Sequence, residues 1–163
     1  MFILDTNILI TFRKTKPHPA IVRWATEVSR DEIATTVVTI TEIQRGIERA
    51  RSQHPTTAKE AEDWLNGMLA VGEPQVLPMN VEAARLLGRM YESPSLRHFI
   101  ITDPKARDQA TGADLAIAAI AITVGATVAT NNVEHFLQIH AVFPLPGLLD
   151  PTSGIWPVEP ERE

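Results

Sequence analysis

Phe2-Ile3-Leu4-Asp5-Thr6-Asn7 runs three apolar residues into a carboxylate and two small polar side chains, and Ile8-Leu9-Ile10 follows. An apolar run this short suits a strand buried on both faces, as in a parallel sheet. Asp, Thr and Asn directly after it suit a strand-to-helix turn, because their side chains bond the free N–H groups of the next helix. In open α/β sheets the functional crevice lies at the carboxyl ends of the strands, which makes Asp5 a candidate functional carboxylate. Asp is also a common helix cap, and on this stretch alone that reading stands beside the functional one.

The same alternation continues along the chain. Ile21, Val22, Ala25 and Val28 recur at helical spacing after Pro19. Residues 33–40 are rich in β-branched side chains and read as a second strand. That strand is expected to feed a helix starting near Thr39 or Thr41, with Glu42 in its first turn. Pro55 opens a helix through Leu69, residues 75–79 read as a third strand, and Asn80 caps a helix over residues 81–91. Residues 93–112, with Pro94 and Pro104, are the least regular segment. Residues 113–122 are apolar nearly all round, so that helix is expected to be buried, with Asp114 in its first turn and Gly125 at its end. Residues 127–130 read as a fourth strand and residues 141–145 as a fifth. Residues 146–163 are proline-rich and without periodicity, and are expected to form an extended tail with Trp156 as its docking point. Strands alternating with helices imply βαβ units, a parallel sheet and helices on both faces.

A chain of 163 residues fits one domain with a sizeable core. Apolar residues make up 44% and charged residues 21%, as in ordinary soluble domains. There is no cysteine, so neither disulfides nor thiolate metal sites hold the fold, which is compatible with a reducing cytoplasm. No apolar run is long enough to span a bilayer, and the N-terminal segment has no export signal, so no membrane association is expected. The net charge of −5 argues against simple electrostatic binding of nucleic acid. It leaves room for carboxylates that hold a cation against a phosphate backbone.

Asp5, Glu42 and Asp114 share one kind of position: each falls at a strand-to-helix turn or in a first helical turn. In a parallel sheet those positions lie along one edge, so three acids from distant parts of the chain converge there. Their repulsion is costly unless a cation sits between them. Carboxylate oxygens suit Mg²⁺ or Mn²⁺. The alternative is three locally favoured acids at helix N-termini, and the pattern alone leaves both readings open.

Four motifs, in order, carry a likeness to a known family. They are Leu-Asp-Thr-Asn at residues 4–7, Thr-x-x-Glu-Ile-x-x-Gly at 39–46, Ala-Asp-x-x-Ile-Ala-Ala at 113–119 and Ala-Thr-x-Asn at 129–132. Together they resemble the signature of PIN domains, and within these the VapC-type ribonuclease toxins of bacterial toxin–antitoxin pairs. The resemblance covers residues 1 to about 150 and implies a PIN-like three-layer α/β/α fold around a mostly parallel sheet of about five strands. On that view residues 1–145 form the PIN domain and residues 146–163 its tail. It implies a Mg²⁺- or Mn²⁺-dependent endoribonuclease in which Asp5, Glu42 and Asp114 are catalytic. Asp5 and Asp114 are then the principal metal ligands, and Glu42 completes the cluster directly or through water. Thr6, Asn7 and Asn132 support them. The implied partners are RNA as substrate, a small cognate antitoxin, a second copy of the chain in a homodimer, and DNA only through the antitoxin. One departure stands out: many relatives carry a fourth acid where this chain has Asn132. It motivates a rival reading, a catalytically weak PIN module acting mainly as an antitoxin-binding, DNA-linked regulator.

Arg13 and Arg45 are the candidate RNA-phosphate contacts; a solvated loop and an ion pair with Glu42 are their respective alternatives. His135 reads as structural, because the histidines show no metal-ligand spacing.

Overall fold

The computed structural model describes residues 1–101 and 111–161. From the N-terminus, β1 (Phe2–Leu4) leads into one helical turn, α1 (Thr6–Leu9), prolonged by a 3-10 turn at Ile10–Arg13. Then follow α2 (Pro19–Glu27), β2 (Ile33–Thr36), α3 (Val37–Arg51), α4 (Pro55–Val71), β3 (Gln75–Leu77) and α5 (Val81–Tyr91). The last elements are α6 (Ala113–Val124), β4 (Thr127–Ala129), α7 (Val133–His140), β5 (Gly147–Asp150) and β6 (Ile155–Val158). The strands form one six-stranded sheet in the order β3-β2-β1-β4-β5-β6, parallel throughout except for β5 with β6.

Successive strand residues point to opposite faces, and this divides the core in two. Ile3, Ala34, Val128 and Leu148 face one side, where α5, α6 and α7 contribute Leu86, Leu115, Ile120 and Phe136. Leu4 and Ala129 face the other side, where α1 to α4 contribute Ile8, Ile21, Ile43 and Leu65. The result is the three-layer α/β/α arrangement expected from the alternating pattern. As expected too, α6 is almost wholly buried, with Leu115, Ile117, Ala118 and Ala119 fully enclosed. Each such Leu or Ile stabilises the fold by roughly 1.5–3 kcal/mol relative to exposure. Gly125 ends α6 with φ of 67°, a conformation a Cβ disfavours, and Asn80 caps α5 by accepting from the Ala83 N–H at 2.7 Å.

Three expectations are corrected. The strand expected over residues 33–40 stops at Thr36, and α3 begins at Val37. Thr36 Oγ1 accepts the Thr39 N–H at 3.2 Å, and this cap turns a β-branched run into a helix start. Glu42 therefore lies in the second turn of α3, not the first. The strand expected at residues 141–145 is a turn: the Val142 and Phe143 N–H groups bond back to Ile139 O, and Pro144 and Pro146 have no N–H to offer a ladder. The fifth strand is Gly147–Asp150, and β6 pairs with it, so residues 147–158 belong to the sheet instead of trailing as a tail. Trp156 is a docking point within that strand, packed against Phe2 with ring centroids 6.0 Å apart. In the irregular segment, Pro94–Phe99 forms a 3-10 helix that buries Leu96 and Phe99; residues 102–110 lie outside the described residues.

The new strand has a strict requirement at its start. Gly147 pairs with Thr127, and a Cβ there would stand 2.4 Å from Thr127 Oγ1. Gly147→Ala is expected to cost about 1–3 kcal/mol by overpacking, read as a lower urea midpoint. Combining it with Thr127→Ala should restore part of the loss; no recovery would mean that the clash lies elsewhere.

Candidate active site

The chain order reverses at β1: β2 and β3 lie on one side of it, β4 and β5 on the other. The helix after β1 covers one face and the helix after β4 covers the other. In open sheets of this kind ligands bind at such a reversal, outside the carboxyl ends of the two strands. Asp5 stands there. Its N–H donates to Ala129 O at 3.0 Å, which locks the end of β1 to the end of β4.

Asp5 is 3% exposed, and its carboxylate meets three donors. The Thr6 N–H donates to Oδ1 at 2.6 Å; Asn7 Nδ2 and Thr130 Oγ1 donate to Oδ2 at 2.7 and 2.6 Å. Burial pushes the Asp5 carboxyl up to about 6, the nearby charges of Asp114 and Glu42 push in the same direction, and the Thr130 and Thr6 donors oppose them. Glu42 comes from α3, and the Thr6 hydroxyl donates to its Oε2. Thr6 thus joins two acids, through its N–H to Asp5 and its hydroxyl to Glu42. Burial raises Glu42 above the ordinary carboxylate range, with Asp114 adding to the rise and the Thr6 hydroxyl and the Arg45 charge opposing it.

Asp114 enters from the first turn of α6. Its Oδ2 lies 3.2 Å from Asn132 Nδ2 and 2.8 Å from His135 Nδ1. The edge of His135 packs on Phe99, with centroids 5.4 Å apart. Asn132 therefore turns a nitrogen donor toward Asp114. It starts α7, and its N–H donates to Thr130 Oγ1 at 2.9 Å.

The structure brings Asp5, Thr6, Asn7, Glu42, Asp114 and Asn132 together at one end of the sheet. Arg13 lines a groove beside it with Thr6 and Glu42. Arg45 is exposed on α3 one turn beyond Glu42; among the described residues neither Arg13 nor Arg45 forms an ion pair. Two participants escaped the sequence reading. Thr130 is wholly buried, and its hydroxyl serves Asp5 across 125 positions of chain, which no local pattern reports. His135, on the sequence a structural residue, has its Nδ1 against Asp114; its spacing of three from the cap residue Asn132 was the available signal.

Among the described residues no three acidic or imidazole side chains enclose an ion by themselves. The residues that could hold one are two carboxylates, Asp5 and Asp114, with Glu42 hydrogen-bonded to the Thr6 hydroxyl. This matches the habit of Mg²⁺, which keeps several waters and takes one or two carboxylates.

The chain matches the PIN domain family over residues 2–140. It is 31% identical over 65 residues to Ribonuclease VapC14 of Mycobacterium tuberculosis (strain CDC 1551 / Oshkosh), a match spanning 40% of this chain and 63% of that protein. Its fold is similar to FitAcB from Neisseria gonorrhoeae, with a TM-score of 0.64 at 19% identity over 93% of this chain and 98% of that one. It is also similar to VapBC-1 from nontypeable Haemophilus influenzae, with a TM-score of 0.62 at 22% identity over 93% and 98%. The described helices include none long and apolar enough to cross a membrane. The family match, taken with the acids at the reversal of strand order, means that this chain belongs to the PIN domain family.

Proposed function

We propose that this protein is a Mg²⁺- or Mn²⁺-dependent endoribonuclease toxin, neutralised by a small cognate antitoxin. The observation that carries the reading is the meeting of Asp5, Glu42 and Asp114 at one end of the sheet, where the charge of Asp114 adds to the upward push on both Asp5 and Glu42. Burying acids together in this way destabilises the bare protein and is offset by a cation. Asp5 and Asp114 would hold that cation, with Glu42 completing the cluster directly or through water. When bound, it supplies charge neutralisation at the phosphodiester and lowers the pKa of a water.

The chain's own residues do the rest. Thr130, Asn7 and the Thr6 N–H aim the Asp5 carboxylate, and the Thr6 hydroxyl aims Glu42. Asn132 and His135 orient Asp114 from the far side. Arg13, in the groove beside Glu42, and Arg45 would meet backbone phosphates flanking the scissile bond. In-line attack of water yields 5′-phosphate and 3′-hydroxyl ends. The relative named as a ribonuclease supports the substrate class, and the VapBC fold neighbours support a toxin with an antitoxin. The homodimer, the indirect link to DNA through the antitoxin and a cytoplasmic setting follow from the same reading. The test is metal-dependent cleavage of RNA by the purified chain, with growth arrest on expression relieved by Asp5→Ala. Cleavage that persists in excess EDTA would remove the metal from the mechanism.

One observation favours the rival reading of a catalytically weak, antitoxin-binding module: Asn132 supplies a donor where an acid is expected. Calorimetric titration with Mn²⁺ separates the two, since no binding at millimolar metal favours the rival.

A further inference from the structure

Residues 147–158 lie beyond the segment matched to the family, yet hydrogen bonds join their hairpin to Asp5 through two asparagines. Asp150 shapes the turn between β5 and β6. Its Oδ1 accepts the Thr152 N–H at 2.8 Å, its Oδ2 accepts Ser153 Oγ at 2.7 Å, and its carbonyl accepts the Gly154 N–H at 2.8 Å. Gly154 closes the turn at φ of 73°. Thr152 is thereby presented in one conformation, and its hydroxyl donates to Asn131 Oδ1 at 2.6 Å. The Asn131 N–H donates to Asn7 Oδ1 at 3.1 Å, and Asn7 Nδ2 donates to Asp5 Oδ2 at 2.7 Å.

We infer that Thr152 is a positioning residue for Asp5, acting through Asn131 and Asn7. The physics lies in the Asn7 carboxamide, a rigid plane with an acceptor at one end and a donor at the other. Holding Oδ1 on the Asn131 N–H keeps Nδ2 toward the carboxylate. A half-turn of the amide would set its oxygen against Asp5 Oδ2, two acceptors face to face. Asn131 itself is exposed and starts no strand, so the bond to Thr152 is what fixes its side chain. The pairing of β5 with β4 does not depend on that hydroxyl, because the Thr130 N–H bonds Leu149 O independently at 3.0 Å.

The relay itself needs no assumption about substrate; its effect on turnover rests on the nuclease reading. Thr152→Val removes the hydroxyl and keeps the shape, and Thr152→Ser restores the hydroxyl. Amide NMR of the full chain is expected to shift the Asn131 backbone N–H and the Asn7 side-chain amide in Thr152→Val, with Thr152→Ser close to wild type and thermal midpoints equal. RNA cleavage is expected to lose about tenfold in kcat with KM unchanged in Thr152→Val, and to recover in Thr152→Ser. Unmoved Asn7 and Asn131 signals would overturn the relay. So would equal kcat losses in the two variants. If the wild type cleaves no RNA, the nuclease reading falls and the amide shifts alone decide the relay.

Discussion

Asp5→Asn is expected to lower RNA cleavage by at least ~10³-fold, or about 4 kcal/mol of lost transition-state stabilisation. The substitution keeps the shape of the side chain and its acceptor toward the Thr6 N–H. It removes the charge and turns an amide nitrogen toward Asn7 Nδ2 and Thr130 Oγ1, both of which donate to Asp5. A cleavage rate within tenfold of wild type would exclude Asp5 from the mechanism. The same variant carries a stability signature. The Asp5 carboxyl is raised from 3.8 to about 6 in the folded chain. Below pH 3.8 it is protonated in both states and contributes no difference. Between 3.8 and about 6 the unfolded chain ionises while the folded chain keeps its proton, so metal-free stability falls as pH rises. Above that window the loss levels off at about 3 kcal/mol. Urea midpoints of the metal-free wild type should fall across this range, and in Asp5→Asn the fall should shrink to the part that Glu42 contributes in the same direction. Parallel pH profiles for the two proteins would contradict the buried-carboxylate account.

Saturating Mn²⁺ or Mg²⁺ at pH 7.5 is expected to stabilise the wild type by about 2.7 kcal/mol at a hundredfold excess over the dissociation constant. For a chain of this size that is a rise of roughly 5–10 °C in Tm. The gain should shrink toward pH 5, because protons and the ion compete for Asp5. Asp114→Asn should remove most of it, and Glu134→Gln, an exposed residue on α7, should leave it intact. A Tm indifferent to either ion at neutral pH would sink the metal assignment while leaving the fold and the family untouched.

The features legible in the sequence were those fixed by neighbours along the chain. Asn80 before an amphipathic run and Gly125 after an apolar one mark helix ends through local geometry, and both stand where expected. Asp5 after an apolar triplet was readable for the same reason. The start of α3 was not, because the β-branched run over residues 33–40 fits a strand until Thr36 Oγ1 engages the Thr39 N–H. β5 and β6 were hidden for another reason. Their prolines and glycines argue against a strand locally, and only the pairing of β5 with β4, the close approach of Gly147 to Thr127 and the pairing of β6 with β5 make them strands. The site divides likewise: Asp5 and Asp114 announce themselves by position, whereas Glu42 lies a turn deeper in α3 than its expected place, and Thr130, His135 and Asn131 acquire their roles from partners far away in sequence.

The two margins of the sheet restrict how other chains can attach. At one end, β3 is three residues long and flanked by Pro74 and Pro78; at the other, β6 carries Pro157, whose ring nitrogen has no hydrogen to give. Short or proline-bearing borders are poor templates for strand addition and protect against runaway stacking of copies. A protein that docks here, whether a second copy or an inhibitory peptide, must therefore grip the helical flanks and cannot simply extend the pleated layer.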